Sequence, residues 1–197
     1  MKLLVLGKDG QVGRALQPAL APLGQVVALG RAEADLEHPE QVMARIVDER
    51  PDVVVNAAAY TAVDAAEDDR ARAWTINADA VGAIGKGAHE VGALVVHYST
   101  DYVYDGLGEG FQTEEQPTSP ASVYGASKLA GEALLASYSY MFGFKARAFR
   151  FGNVVGGRQT HGVGFDFVRR LLRDPTELRI LGDGSQSKSY IHVTDVV

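Results

Sequence analysis

Tyr124 and Lys128 stand four residues apart in the stretch SPASVYGASKLAGE, so on a helix they share one face. An ordinary tyrosine, with a pKa of about 10, is a reluctant acid or base at neutral pH. A lysine ammonium one turn away favours the phenolate and lowers that value, and it can also hold a ribose. Upstream, STDYVYDG offers the hydroxyls of Ser99 and Thr100, which would complete a proton relay and orient a carbonyl oxygen. A surface helix also carries such a pair by chance, so the preceding chain decides between the two readings.

That chain opens with VLGKDGQVG, where Gly7, Gly10 and Gly13 flank Gln11 and Val12 between an apolar run and a helical pattern. Glycines there permit a tight turn, and the helix N-terminus offers amide donors to a pyrophosphate; an ordinary strand–helix turn is the plainer alternative. After a second apolar run, where a carboxylate would grip ribose hydroxyls and favour NAD, the sequence has Gly30 and Arg31. An arginine there either pairs with a 2′-phosphate, favouring NADPH, or is a solvated surface residue. Asp35 and Leu36 could flank an adenine by position alone. NAAAY puts Ala57, Ala58, Ala59 and Tyr60 at the end of a valine run, where small residues let a cofactor lie on the backbone or let a helix pack closely.

The elements that must position these residues alternate strand and helix. Apolar runs at 2–6, 25–29, 52–59, 93–99, 145–152 and 177–182 read as strands, and 12–24, 39–50, 69–92, 121–139 and 164–174 as helices. The continuous valine run, unbroken by polar alternation, suits a parallel strand covered on both faces. Repeated βα units predict an α/β Rossmann fold: a doubly wound parallel sheet with helices on both faces. The loop 105–120 is the one long irregular stretch.

Bulk properties narrow the class. The 197 residues fit one domain, or one domain plus part of a second. A net charge of −6 offers no basic stripe for nucleic acid. Zero cysteines remove disulfides and thiolate chemistry and suit a cytoplasmic location. The N-terminal apolar run is too short for a signal peptide or membrane span, and the five scattered histidines lack metal-ligand spacing, so neither a membrane nor a metal is expected. Trp74 suits core packing or an interface.

LGKDGQVGRAL, VVNAAAYTAVDAAEDD, NADAVG, YSTDYVYDG and YGASKLAGE resemble blocks of the extended short-chain dehydrogenases/reductases, with residues 1–140 most similar to the dTDP-4-dehydrorhamnose reductase family. That resemblance implies a catalytic set of Thr100, Tyr124 and Lys128. It also implies cofactor contacts along the glycine loop, at Ala57 to Tyr60 and at Lys128, substrate near Val63 and Tyr102, and Asn77 in support. Residues 145–197, with RFGNVVG, THGVGFDF and LGDGSQSKSYIHVTDVV, resemble nucleotide-sugar epimerases of the UDP-glucose type instead. There the resemblance points to Asn153, and beyond it Arg158 and Lys188, against a nucleotide diphosphate.

The chain is thus expected to hold a Rossmann domain with the catalytic set over 1–152 and a partial substrate-binding region over 153–197. The resemblance implies an NADPH- or NADH-dependent reductase of a keto group on a nucleotide sugar, pairing as a homodimer through its long helices. Two alternatives stay open: a 4-epimerase or dehydratase that retains NAD⁺, and a non-catalytic cofactor-binding regulatory protein.

Overall fold

The computed structural model describes residues 1–107, 110, 112–180 and 182–197, and its chain divides into two compact units, Met1–Phe151 and Gly152–Val197. The first is built on five parallel strands: β1 (Lys2–Leu6), β2 (Gln25–Leu29), β3 (Val53–Asn56), β4 (Leu94–Thr100) and β5 (Ala146–Phe151), in the order β2-β1-β3-β4-β5. The chain steps from β1 outward to β2, then crosses back past β1 to β3. Strand order therefore reverses between β1 and β3, and a crevice opens at the carboxyl ends of those strands.

Alternation along each strand serves two cores. Leu4, Leu6, Val54 and Val95 point into one cluster with Val42 and Ile46 of α2 (Pro39–Glu49), Ile84 and Ala88 of α4 (Ala80–Val91) and Leu135 of α5 (Val123–Phe142). Val5 and Val55 point the other way, against Leu16 of α1 (Gln11–Leu20). Both faces are covered, which is why the strands read as unbroken apolar runs. Burying each such Leu, Ile or Val contributes about 1.5–3 kcal/mol.

Two expected elements are divided or shortened. The helix expected over 69–92 comprises α3 (Arg70–Trp74), a π-helical turn (Thr75–Asp79) and α4. Trp74 is 46% exposed rather than in the core. The valine strand ends at Asn56 because the Ala58 amide leaves the ladder and donates to the Asn56 side chain at 3.1 Å.

In the second unit, β6 (Asn153–Val155) pairs in parallel with β7 (Tyr190–His192), and α6 (Val163–Arg173) lies between them in sequence. The strand expected over 177–182 does not form across Glu177–Ile180, and Leu181 lies outside the described residues. Its local alternation of Leu178 and Ile180 suits a strand, but β6 pairs with the later β7. Among the described residues, no helix is long and apolar enough to cross a membrane.

Candidate active site

At the crevice, Gly7 has φ +88°, and a Cβ there would approach the Ala58 amide nitrogen to 2.9 Å. The turn after β1 therefore lies directly on the end of β3. Gly13 is tighter still: a Cβ would fall 2.0 Å from the Gly7 carbonyl oxygen, so the first turn of α1 is pressed onto that loop. Gly10 caps α1 without a side-chain bond, and no acid occupies its first turn. Open amide groups and the positive end of the helix dipole thus face the crevice. Among the described residues, the Gln11 Nε2 atom is buried without a hydrogen-bond partner. An orphaned donor beside an uncapped helix start fits the pyrophosphate of a dinucleotide.

At the end of β2 the structure supplies an acid that the sequence reading missed. Gly30 N–H donates to Glu33 Oε2 at 2.9 Å, and Lys8 of the glycine loop pairs with the same carboxylate. Lys8 holds the Glu33 carboxyl below its ordinary range. The backbone turn Gly30–Ala34 folds Glu33 back, with Ala34 N–H donating to Gly30 O at 2.9 Å. Arg31, for its part, is ion-paired to Asp35 at 3.0 Å and to Glu37, which also takes Arg72 at 2.7 Å. Leu36 is buried in the core beside α2.

Beyond β3, Ala57 N–H still donates to Leu6 O, and the next residues run toward Asn77 in the π turn. Asn77 Oδ1 accepts the Tyr60 N–H at 2.9 Å, while its Nδ2 donates to Tyr60 O and to Ser127 Oγ, each at 3.0 Å. Ser127 in turn donates to Tyr124 O at 2.8 Å. One buried amide therefore ties the Ala57–Tyr60 segment to the first turns of α5.

The sheet edge and α5 bring the remaining residues together. Thr100 ends β4, accepts the Tyr102 N–H at 3.2 Å and donates to Asp101 Oδ1 at 3.2 Å. Tyr124 meets Tyr102 edge-on with ring centroids 5.6 Å apart, in a cluster that includes Val63 and Tyr60. Burial pushes the Tyr124 phenol above the usual tyrosine value, and the Thr100 hydroxyl draws it partly back. Lys128 is 2% exposed and donates to Tyr98 O at 2.6 Å. Its own burial lowers it to about 8, offset in part by Glu132. The expected lowering of Tyr124 by a nearby ammonium is thus opposed on both sides, because burial penalises phenolate and ammonium alike. Ser99 is engaged by Glu132, whose carboxylate also takes Arg150 at 2.6 Å.

In the second unit, Asn153 bonds Ser189 O through its amide nitrogen at 3.0 Å and its Nδ2 at 3.2 Å, serving the β6–β7 pair. Arg158, at φ 64°, and Lys188 are exposed. No group of three or more potential metal ligands forms among the described residues.

Comparison with known proteins finds both reductases and nucleotide-sugar epimerases. The sequence model of the RmlD substrate binding domain matches residues 1–190, running well past residue 145. A dTDP-4-dehydrorhamnose reductase of Burkholderia thailandensis is 48% identical over 186 residues, which are 93% of this chain and 59% of that protein. The chain thus spans about three fifths of that relative's length. The dTDP-4-dehydrorhamnose reductase of Bacillus anthracis, solved in complex with NADP, superposes with a TM-score of 0.76 at 30% identity, over 87% of this chain and 58% of that one. The UDP-glucose 4-epimerase of Thermus thermophilus, solved with NAD, superposes with a TM-score of 0.87 at 28% identity, over 100% of this chain and 72% of that one. These matches share one fold, and the chain belongs to the RmlD substrate binding domain family of extended short-chain dehydrogenases/reductases.

Proposed function

We propose that this chain carries the cofactor-binding and proton-transfer machinery of an NAD(P)H-dependent oxidoreductase that reduces a keto group on a nucleotide-activated deoxy sugar, as the name dTDP-4-dehydrorhamnose reductase describes for its relatives. The observation that carries this reading is the burial of Tyr124 and Lys128 on one face of α5 beside Thr100, at the sheet edge that also holds the uncapped start of α1. Bound nicotinamide supplies the hydride that reduces the carbonyl carbon. Tyr124 then gives its phenolic proton to the carbonyl oxygen, which Thr100 also hydrogen-bonds as charge develops there. A phenol held well above neutral pH keeps that proton until the oxygen becomes basic. Lys128 holds the ribose and tunes Tyr124.

Gly7, Gly10, Gln11, Val12 and Gly13 receive the pyrophosphate, and Ala57, Ala58, Ala59 and Tyr60 floor the site. At β2, Glu33 suits ribose hydroxyls while Lys8 and Arg31 suit a 2′-phosphate, so the site accepts NADH or NADPH. Val63 and Tyr102 lie toward the sugar, and residues 153–197, including Asn153, form part of the substrate region. The protein works in the cytoplasm as a homodimer without a nucleic-acid partner, in keeping with its lack of cysteine and its charge of −6.

The full-length superposition on a UDP-glucose 4-epimerase favours a second reading, a 4-epimerase that retains its nicotinamide. Titration with NADPH and NADH by nicotinamide fluorescence, followed by addition of a dTDP-4-keto-6-deoxy sugar, separates them. Binding followed by oxidation of the nucleotide establishes the reductase. Co-purification of bound nicotinamide without net oxidation establishes the epimerase. Binding without either leaves a regulatory cofactor-binding protein, and failure to bind either nucleotide ends the dinucleotide reading.

A further inference from the structure

His97 lies in the middle of β4, wholly buried, and no step above uses it. Its two ring nitrogens face different groups. Asn56 Nδ2 is 3.1 Å from His97 Nδ1, and Lys128 Nζ is 3.5 Å from His97 Nε2. The Ala58 N–H donates to Asn56 Oδ1 at 3.1 Å. A backbone amide can only donate, so it fixes which end of the Asn56 side chain is the oxygen. The Asn56 NH₂ group consequently faces His97, and because it too can only donate, His97 Nδ1 must be bare. The single proton of the neutral ring then sits on Nε2, aimed at Lys128.

We infer that His97 is a positioning residue for Lys128: locked by Asn56 in its Nε2–H tautomer, it turns an N–H toward the lysine nitrogen and favours the uncharged amine over the ammonium. An ammonium would oppose N–H to N–H, whereas an amine can accept the bond through its lone pair. Doubly protonated His97 would set a second N–H against the Asn56 NH₂, and burial likewise pushes this imidazole well below its ordinary value. Lys128 and His97 thus lower each other's tendency to carry charge.

The remaining groups around Lys128 are few. Tyr124 and Glu132 flank it on α5, and Glu132 is tied to Arg150 of β5. Asp101, after β4, acts on Tyr124, and Glu67 accepts the Val123 N–H at the start of α5. From the π turn, neutral Asn77 bonds Ser127 of α5 while Asp79 is exposed; Arg72 of α3 is paired with Glu37, and Lys86 of α4 stacks over Tyr138 at 5.7 Å, farther along α5. Glu132 therefore favours the ammonium and His97 opposes it. The inference deepens the function proposed above and rests on its assignment of Lys128. It links the proton-transfer pair to Ala58, on the backbone where the cofactor would lie, through one chain of hydrogen bonds.

Nuclear magnetic resonance of the whole chain, labelled with ¹⁵N at histidine and ¹³C at lysine, tests it without cofactor or sugar. The expected spectrum has a protonated Nε2 and bare Nδ1 on His97, unchanged from about pH 5 to pH 9, the span in which an ordinary histidine titrates. Asn56→Asp would accept a proton from Nδ1 and leave Nε2 bare, raising the Lys128 midpoint from about 8 by about one unit. Combining Asn56→Asp with His97→Phe should remove most of that rise, which separates the ring's part from the through-space effect of the new carboxylate. A proton on Nδ1 in the unmodified protein overturns the proposal even where the variants fail to fold. So does a folded Asn56→Asp chain whose Lys128 midpoint is unmoved. A failed turnover assay with an intact Nε2–H tautomer would count against the function alone.

Discussion

Tyr124 is the residue on which proton transfer turns, and its surroundings allow a narrow test. Its ring packs edge-on against Tyr102, so Tyr124→Phe retains the packing and removes only the hydroxyl. We expect hydride transfer from NAD(P)H to the keto sugar to fall by about 10²–10⁴-fold, the usual contribution of a positioned acid, with the cofactor dissociation constant nearly unchanged. Stopped-flow oxidation and a fluorescence titration check the two halves, and retention of normal turnover would remove Tyr124 from its role. At this scale the sequence was partly legible. The spacing of Tyr124 and Lys128 announces a shared helical face, because four residues make one turn. Glu33 was not legible, since it reaches the end of β2 only by a backbone turn that folds it onto Gly30. His97 was not legible either: a lone histidine inside an apolar strand looks like core until its two nitrogens are seen to face Asn56 and Lys128.

Among the elements, the π turn has a role that neither flanking helix could fill. It delivers Asn77, 1% exposed, to both the Tyr60 backbone and Ser127. Asn77→Ala leaves the Tyr60 N–H, Tyr60 O and Ser127 Oγ without that partner, at about 1–3 kcal/mol for each buried group left unpaired. Denaturant unfolding should therefore show a lower midpoint at constant slope, with a fall in turnover as the start of α5 loosens. A midpoint equal to that of the unmodified chain would mean that Asn77 is not the tie. The strands β1 and β3 were plain in the sequence because burial on both faces demands unbroken apolar runs. The π turn was invisible there, since one residue added to a helix leaves the apolar pattern on each side intact. A three-residue strand such as β7 depends on its partner, and a reading by local alternation favours 177–182 instead.

For the whole molecule, the contrast between units has an energetic meaning. Central strands of Met1–Phe151 place Leu4, Val5, Val54 and Val95 out of solvent, whereas α6 has no buried residue and leaves Leu172 83% exposed. Native-state hydrogen exchange should find the amides of β1, β3 and β4 opening only with global unfolding, and those of α6 opening at much lower cost. Equal protection of α6 and β1 would contradict that division. The π turn bears on the first unit as a whole. Removing one residue from Thr75–Asp79 would convert it to an ordinary α turn while the flanking helices keep nearly the same facing, because the wide turn carries its extra residue in about the same rotation. Val81, Ile84 and Ala88 would keep the side they now fill, but the Asn77 carbonyl would be drawn from Gly131 and the Asn77 side chain from Tyr60 and Ser127. The extra residue between Trp74 and Ala80 is therefore carried for the sake of the site and not of the core: a shorter turn would leave the helix whole and the crevice untied.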